Sequence, residues 1–102
     1  MENIAFSVKK TPIRLTDERW RHIVENHDDM AGYYDNVLET IEDADYIIKG
    51  YGGAYIALQR VKKEKFLAVV YKESQNDGFI ITAYFTKKIK LKNEEIIWKK
   101  NY

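Results

Sequence analysis

The chain carries two histidines, His22 and His27, in the stretch "RHIVENH". An imidazole can move a proton near neutral pH, ligate a metal or, when protonated, pair with a phosphate. Spacing disfavours the metal. Positions i and i+4 bring two imidazoles together on a helix, whereas five steps leave them about 140° apart. Asp28 and Asp29 could add oxygens, but there is no third histidine and no cysteine, so neither a metal nor another cofactor is expected. His27 falls within the apolar stripe of its helix, where a buried neutral imidazole with one hydrogen bond is the ordinary outcome. Its place near the helix C-terminus offers the alternative, an imidazolium acting as acid or phosphate ligand. His22 lies on the polar side beside Arg21, where a solvated surface residue is the plain reading.

A second group of candidates lies in "GFIITAYFTKKIK", residues 78–90. Period-2 alternation predicts Phe79, Ile81, Ala83 and Phe85 on a core face, with Thr82, Tyr84 and Thr86 together on the other. Successive hydroxyls would then stand about 6.8 Å apart. Thr and Tyr favour strands anyway, so the pattern has a bland explanation. Its company argues for more. Tyr55 and Gln59 share one face of a preceding strand, Arg60 ends it, and Lys87 and Lys88 follow the hydroxyl row. A sheet face bearing hydroxyls, aromatics and cations can hold phosphates and stack unpaired bases. The glycines of "GYGGAY" lack the strand-to-helix context of a phosphate-binding loop and read as a hairpin turn. No Ser/His/Asp order for acyl transfer is visible.

These residues need elements to position them. In "LTDERWRHIVENHDD", Thr16 is an N-cap, Asp17 and Glu18 suit the helix dipole, and Trp20, Ile23, Val24 and His27 form one stripe. A second helix is expected over "YYDNVLETIEDA", with Tyr34, Val37, Leu38 and Ile41 facing inward. The period then changes to 2, predicting strands in "DYIIKG", "AYIALQRV", "KEKFLAVVYKE" and the hydroxyl segment, the last two joined by "SQNDG". The tail "LKNEEIIWKKNY" reads as a short helix or a further strand. The expected class is α+β: two N-terminal helices on one face of a roughly four-stranded antiparallel sheet, with a short C-terminal element and the other face free.

Composition bounds the rest. A chain of 102 residues, 45% hydrophobic and 32% charged, is expected to make a single domain over residues 1–102. The opening "MENIAFSVKK" has no long apolar segment of the signal-peptide kind, and nothing approaches the ~20 apolar residues of a membrane span. A cytoplasmic place and no membrane partner are expected. The net charge of +1 hides a split: residues 1–50 hold six Lys/Arg against eleven Asp/Glu, and residues 51–102 hold eleven against five. Either the two halves pair with each other, or the basic half faces a polyanion.

Taken in order, "LTDERWRHIVENHDDM", "VLETIEDADYIIKG", "FLAVVYKE" and "GFIITAYFTKKI" resemble the phage- and toxin-associated branch of the barnase–EndoU–colicin–RelE-like nuclease superfamily. The likeness spans roughly residues 13–90. It departs from the pattern where His-Pro-Glu commonly follows the helix, since this chain reads "HDD". The resemblance implies a barnase- or RelE-like domain that cleaves RNA without a metal, leaving a 2′,3′-cyclic phosphate. It implies a catalytic set drawn from His27, His22, Thr82 and Tyr84. Arg60 or Lys49 would be the basic position, and the sheet face described above adds Tyr55, Thr86, Lys87 and Lys88 as substrate-binding residues. Transfer RNA or another structured or single-stranded RNA would be the target. An antitoxin or immunity protein would restrain the enzyme in its own cell, or it would be delivered into the cytoplasm of another. Two readings compete: a non-catalytic RNA- or protein-binding module of the same fold, and an inert structural domain.

Overall fold

The computed structural model describes residues 2–101. The chain forms β1 (Glu2–Phe6), β2 (Pro12–Thr16), α1 (Asp17–Asn26), α2 (Tyr34–Glu42), β3 (Tyr46–Lys49), β4 (Tyr55–Lys62), β5 (Lys65–Glu73), β6 (Gly78–Thr86) and β7 (Ile96–Lys99). Short 3-10 turns occupy Asp28–Met30 and Leu91–Asn93. The described strands form one seven-stranded sheet in the order β1-β2-β6-β5-β4-β3-β7. Its neighbours are antiparallel except β2 and β6, which run parallel.

This corrects the expected two-helix, four-strand antiparallel arrangement. The meander β3–β6 lies at the centre of a wider, mixed sheet. The N-terminal stretch contributes a hairpin on one edge, and the tail adds β7 on the other. The hairpin forms because Ile13 and Leu15 alternate into the core, each 0% exposed, and burying such a side chain contributes about 1.5–3 kcal/mol. Its turn is closed by Ser7, whose buried hydroxyl accepts from the Lys9 and Thr11 amides at 3.3 Å and donates to Glu73 at 3.1 Å.

The helices follow from their caps and stripes. The Thr16 hydroxyl accepts the Arg19 amide at 3.1 Å, and α1 ends where the His27 amide donates to the Ile23 carbonyl. Ile23 of α1, Val37 and Ile41 of α2 and Met30 between them are sealed against Leu67, Val69, Tyr71 and Ala83 of the sheet. Between β3 and β4 the chain turns at Gly52 and Gly53, with φ of +60° and +81°, a region that glycine enters without steric cost.

The opposite sheet face is not left free. Ile48, Leu58, Phe66 and Ala68 make a second small core there, roofed by Ile89 and Leu91. These two residues belong to the connection that must cross from β6 to β7 at the far edge, so the chain itself covers the β3–β5 part of that face. A register shift between β5 and β6 corrects the predicted alternation as well. Val70 pairs with Thr82 but Tyr71 pairs with Ile80, so one extra residue, Ile81, bulges from β6. Before the bulge the faces are swapped: Ile80 is 1% exposed, and Phe79 is 48% exposed on the opposite face. Beyond it, Ala83 faces the helices and Thr82, Tyr84 and Thr86 face away, opposite Val70, Ala68 and Phe66.

Tyr71 gives the core a pH limit. Burial first, then the Glu73 carboxylate and Tyr55, push its hydroxyl well above the usual tyrosine range. Folding therefore favours the protonated phenol, and this contribution is intact below about pH 10, the unfolded value. It is lost as the pH rises from there towards the folded value. Denaturation midpoints measured from pH 7 to 11 should fall steeply above about pH 10, and less steeply in Tyr71→Phe. Among the described residues no helix is long and apolar enough to cross a membrane.

Candidate active site

Strand β2 pairs with β6 only through Ile13–Gly78 and Arg14–Phe79. Past that point the chain leaves β2 at Thr16 and enters α1, which packs on β2 and β6, with the Asp28–Met30 turn also against β6. The C-terminal end of α1 is thereby carried along the margin of β6. His27, the capping residue, uses this position to place its ring against Tyr84, with centroids 5.8 Å apart and planes tilted by 36°. An imidazole from the helical layer thus meets a phenol on the sheet face that points away from the helices. Both side chains are half-buried, neither sealed in the core nor fully in water.

Tyr84 sits at the rim of the second small core. Burial raises its hydroxyl above the ordinary tyrosine value, and the nearby Glu94 carboxylate raises it further. Both effects disfavour a phenolate. At neutral pH the hydroxyl is a proton-bearing donor, not a base. Comparisons with family models, with curated proteins and with solved structures return no match.

The hydroxyl row continues on either side of Tyr84. Thr82 stands opposite Val70. The Thr86 hydroxyl accepts the Lys88 amide at 3.1 Å and so helps turn the chain out of β6. Opposite Thr86 is Phe66, and over that ring lies the Arg60 guanidinium at 4.6 Å. Arg60, Lys87 and Lys90 line one cleft of about 320 Å³, with Glu64, Phe66, Ile89 and Leu91 as the remaining walls. This gives a cationic hollow at the Thr86 end of the row.

Other candidates are placed elsewhere. His22 is exposed, 3.9 Å from Glu18, in a cleft with Thr16, Arg19 and Asn26. One imidazole, not two, meets the hydroxyl row. Tyr55 lies on the helix face, 5.7 Å from the Tyr71 ring and beneath the Lys9 ammonium. Gln59 is on that face too, bonded to Thr40 and Glu39. The expectation that Tyr55 and Gln59 accompany the hydroxyls is corrected, because β4 pairs in a register that turns Ile56, Leu58 and Arg60 to the Tyr84 side. Lys49 pairs across from Tyr55, and its ammonium lies 3.9 Å from Glu95. Lys88 is exposed and is not a wall of the Arg60 cleft.

Two residues were not singled out from the sequence. Glu94 reaches Tyr84 electrostatically and Lys90 joins the cationic cleft only because the 87–95 connection folds back across the sheet. No local pattern announces that path. Among the described residues no group of three or more His, Asp or Glu side chains is arranged to hold a metal ion.

Proposed function

We propose that this chain is a metal-independent endoribonuclease whose active centre lies at His27 and Tyr84. The observation that carries the proposal is the contact between these two rings on the hydroxyl-bearing sheet face, with Arg60, Lys87 and Lys90 gathered in the adjoining cleft. In this reading the ribose 2′-oxygen attacks the neighbouring phosphorus and its proton passes to the His27 imidazole. The bond from phosphorus to the 5′-oxygen breaks, and the Tyr84 hydroxyl gives that oxygen its proton. The products are a 2′,3′-cyclic phosphate and a free 5′-hydroxyl; His27 then gives its proton to solvent and Tyr84 takes one from solvent, which restores both groups. At neutral pH the hydroxyl holds its proton. The alkoxide that leaves is more basic than a phenolate, so the transfer is downhill even though raising the phenol makes it the weaker acid. Arg60 and the lysines would balance charge building on the phosphoryl oxygens. Such an activity calls for an inhibitory partner in the cell that makes it, or for delivery into another.

One observation favours a second reading. The Glu94 carboxylate acts electrostatically on Tyr84, and the same negative charge opposes a phosphate there, as in a module that binds RNA or protein without cutting it. Turnover separates the two. End-labelled RNA incubated in excess EDTA should be cut to fragments ending in a 2′,3′-cyclic phosphate. Replacing the 2′-hydroxyl at the cleaved position by hydrogen should stop the reaction. RNA that is retarded in a gel yet stays intact would leave only the binding module.

A further inference from the structure

Phe79, the second residue of β6, is 48% exposed although Gly78 before it and Ile80 after it are buried. The Ile81 bulge explains this, since it turns Phe79 to the same side as Thr82 and Tyr84. Cross-strand register sets Arg14 on one flank of the ring and Lys72 on the other. Arg14 is engaged by Asp77, which leaves the Lys72 ammonium as the flanking charge for a ligand. Along β5 the partners of Phe79 and Tyr84 are Lys72 and Ala68, four residues apart, or about 13 Å of strand. The order on one face is therefore an open aromatic ring with a cation, then Thr82, then the His27–Tyr84 pair, then the Arg60 cleft.

We propose that Phe79 is a stacking platform for an unpaired base of single-stranded RNA, with Lys72 on the adjacent phosphate and the strand running along β6 towards Tyr84. The proposal rests on the nuclease reading for the direction of the strand, and it narrows the substrate to RNA with unstacked bases. Duplex bases show no free ring face, whereas any unpaired base can lie on an aromatic ring. An exposed ring with the Lys72 cation on its β5 flank can take a base on its face and the adjoining phosphate at its side. The apolar residue nearest in register is Ile4, across β2 from Phe79 through Arg14. A protein partner on this face would need that residue too.

The test uses the whole chain and a fluorescent 2′-O-methyl oligoadenylate decamer, which lacks the attacking hydroxyl and stays intact. Phe79→Ala should weaken its binding about five- to hundredfold, the range for one stacked base. Phe79→Trp should restore it, and a ten-base-pair duplex should bind parent and variant alike. Exposure of Phe79 means that the alanine variant keeps its core, which an unchanged denaturation midpoint would document. Unchanged decamer affinity in Phe79→Ala overturns the proposal. So does a sedimentation experiment in which Phe79→Ala and Ile4→Ala each abolish self-association while RNA binding persists. The two readings fail separately: intact RNA in EDTA with weakened decamer binding removes the nuclease and keeps the platform, and normal cleavage with unmoved binding does the reverse.

Discussion

On the proposed mechanism, His27→Ala should lower RNA cleavage in EDTA by about 10²- to 10⁴-fold, the usual worth of one positioned acid–base group, while the protein still unfolds in one cooperative step. A large effect is expected because, among the described residues, neither His22 nor Tyr84 is placed to stand in for His27. His22 stands in another cleft with Glu18 and Arg19, and Tyr84 is held protonated by burial and Glu94, so neither can accept the 2′-proton. The fold should tolerate the change because His27 is half-buried and its ring touches Tyr84 at the rim of the sheet. Losing one such ring contact costs about 0.5–1.5 kcal/mol. His22→Ala is the internal control and should leave the rate within about threefold, as expected of a surface change outside the machinery. Tyr84→Phe keeps the ring contact and removes only the donor. At neutral pH, where the fold is at full strength, Tyr84→Phe should lower the rate by about 10²- to 10⁴-fold with the denaturation midpoint little changed. A His27→Ala protein cutting RNA at the parental rate would remove the imidazole from the chemistry.

The parts of the fold legible in the sequence are those with local causes. Thr16 followed by two acids marks the start of α1, and Val37 and Ile41 four apart mark the buried side of α2. The glycines at 52 and 53 mark the turn into β4. The parts that were not legible depend on partners distant in the chain. Residues 12–16 alternate, with Ile13 and Leu15 inward, but a five-residue run ending in a helix cap looks like a leader to that helix. What makes it a strand is its pairing with β1 and its parallel contact with β6, some sixty residues later. The bulge at Ile81 had no signal either, because "FIITAYF" contains no break that says where the faces exchange.

The site shows the same division. His27 and Tyr84 could be named from residue type, helix position and strand period. Tyr55 could not be assigned a face, because register alone decides it. Glu94 and Lys90 arrive through a crossing connection whose course depends on β7 docking beside β3. Local pattern thus identified candidate chemistry, and long-range pairing decided which candidates meet.

Gly78→Ala should be the most damaging single methyl in the protein, destabilising it by about 1–3 kcal/mol or more, out of a total that is commonly 5–15 kcal/mol. In the sequence, "SQNDG" at 74–78 reads only as a hairpin connection. The structure assigns Gly78 a different task. It is the buried first residue of β6, paired with Ile13 of β2 on one side and Glu73 of β5 on the other. A Cβ there would lie 2.5 Å from the Ile13 Cδ1 and 2.5 Å from the Lys72 carbonyl oxygen. The Ile13 side chain is 0% exposed and packed in the core, and the carbonyl belongs to the backbone of β5, so neither yields without moving a strand. Either β6 draws away from β5 or the β1–β2 hairpin draws away from β6, and the Gly78–Phe79 step is where that hairpin joins the meander. Urea denaturation measures the loss. A double-mutant cycle with Ile13→Val, which removes the clashing Cδ1 at an ordinary cost of about 0.5–1.5 kcal/mol, should show a favourable coupling of at least about 0.5 kcal/mol. Faster amide exchange in β1 and β2 than in β4 and β5 would locate the failure at the parallel junction. A Gly78→Ala protein within about 0.5 kcal/mol of the parent, the scatter of ordinary surface changes, would mean that the two strands do not approach as closely as the junction requires. The register that turns Phe79 and Tyr84 to one face would then lose its anchor.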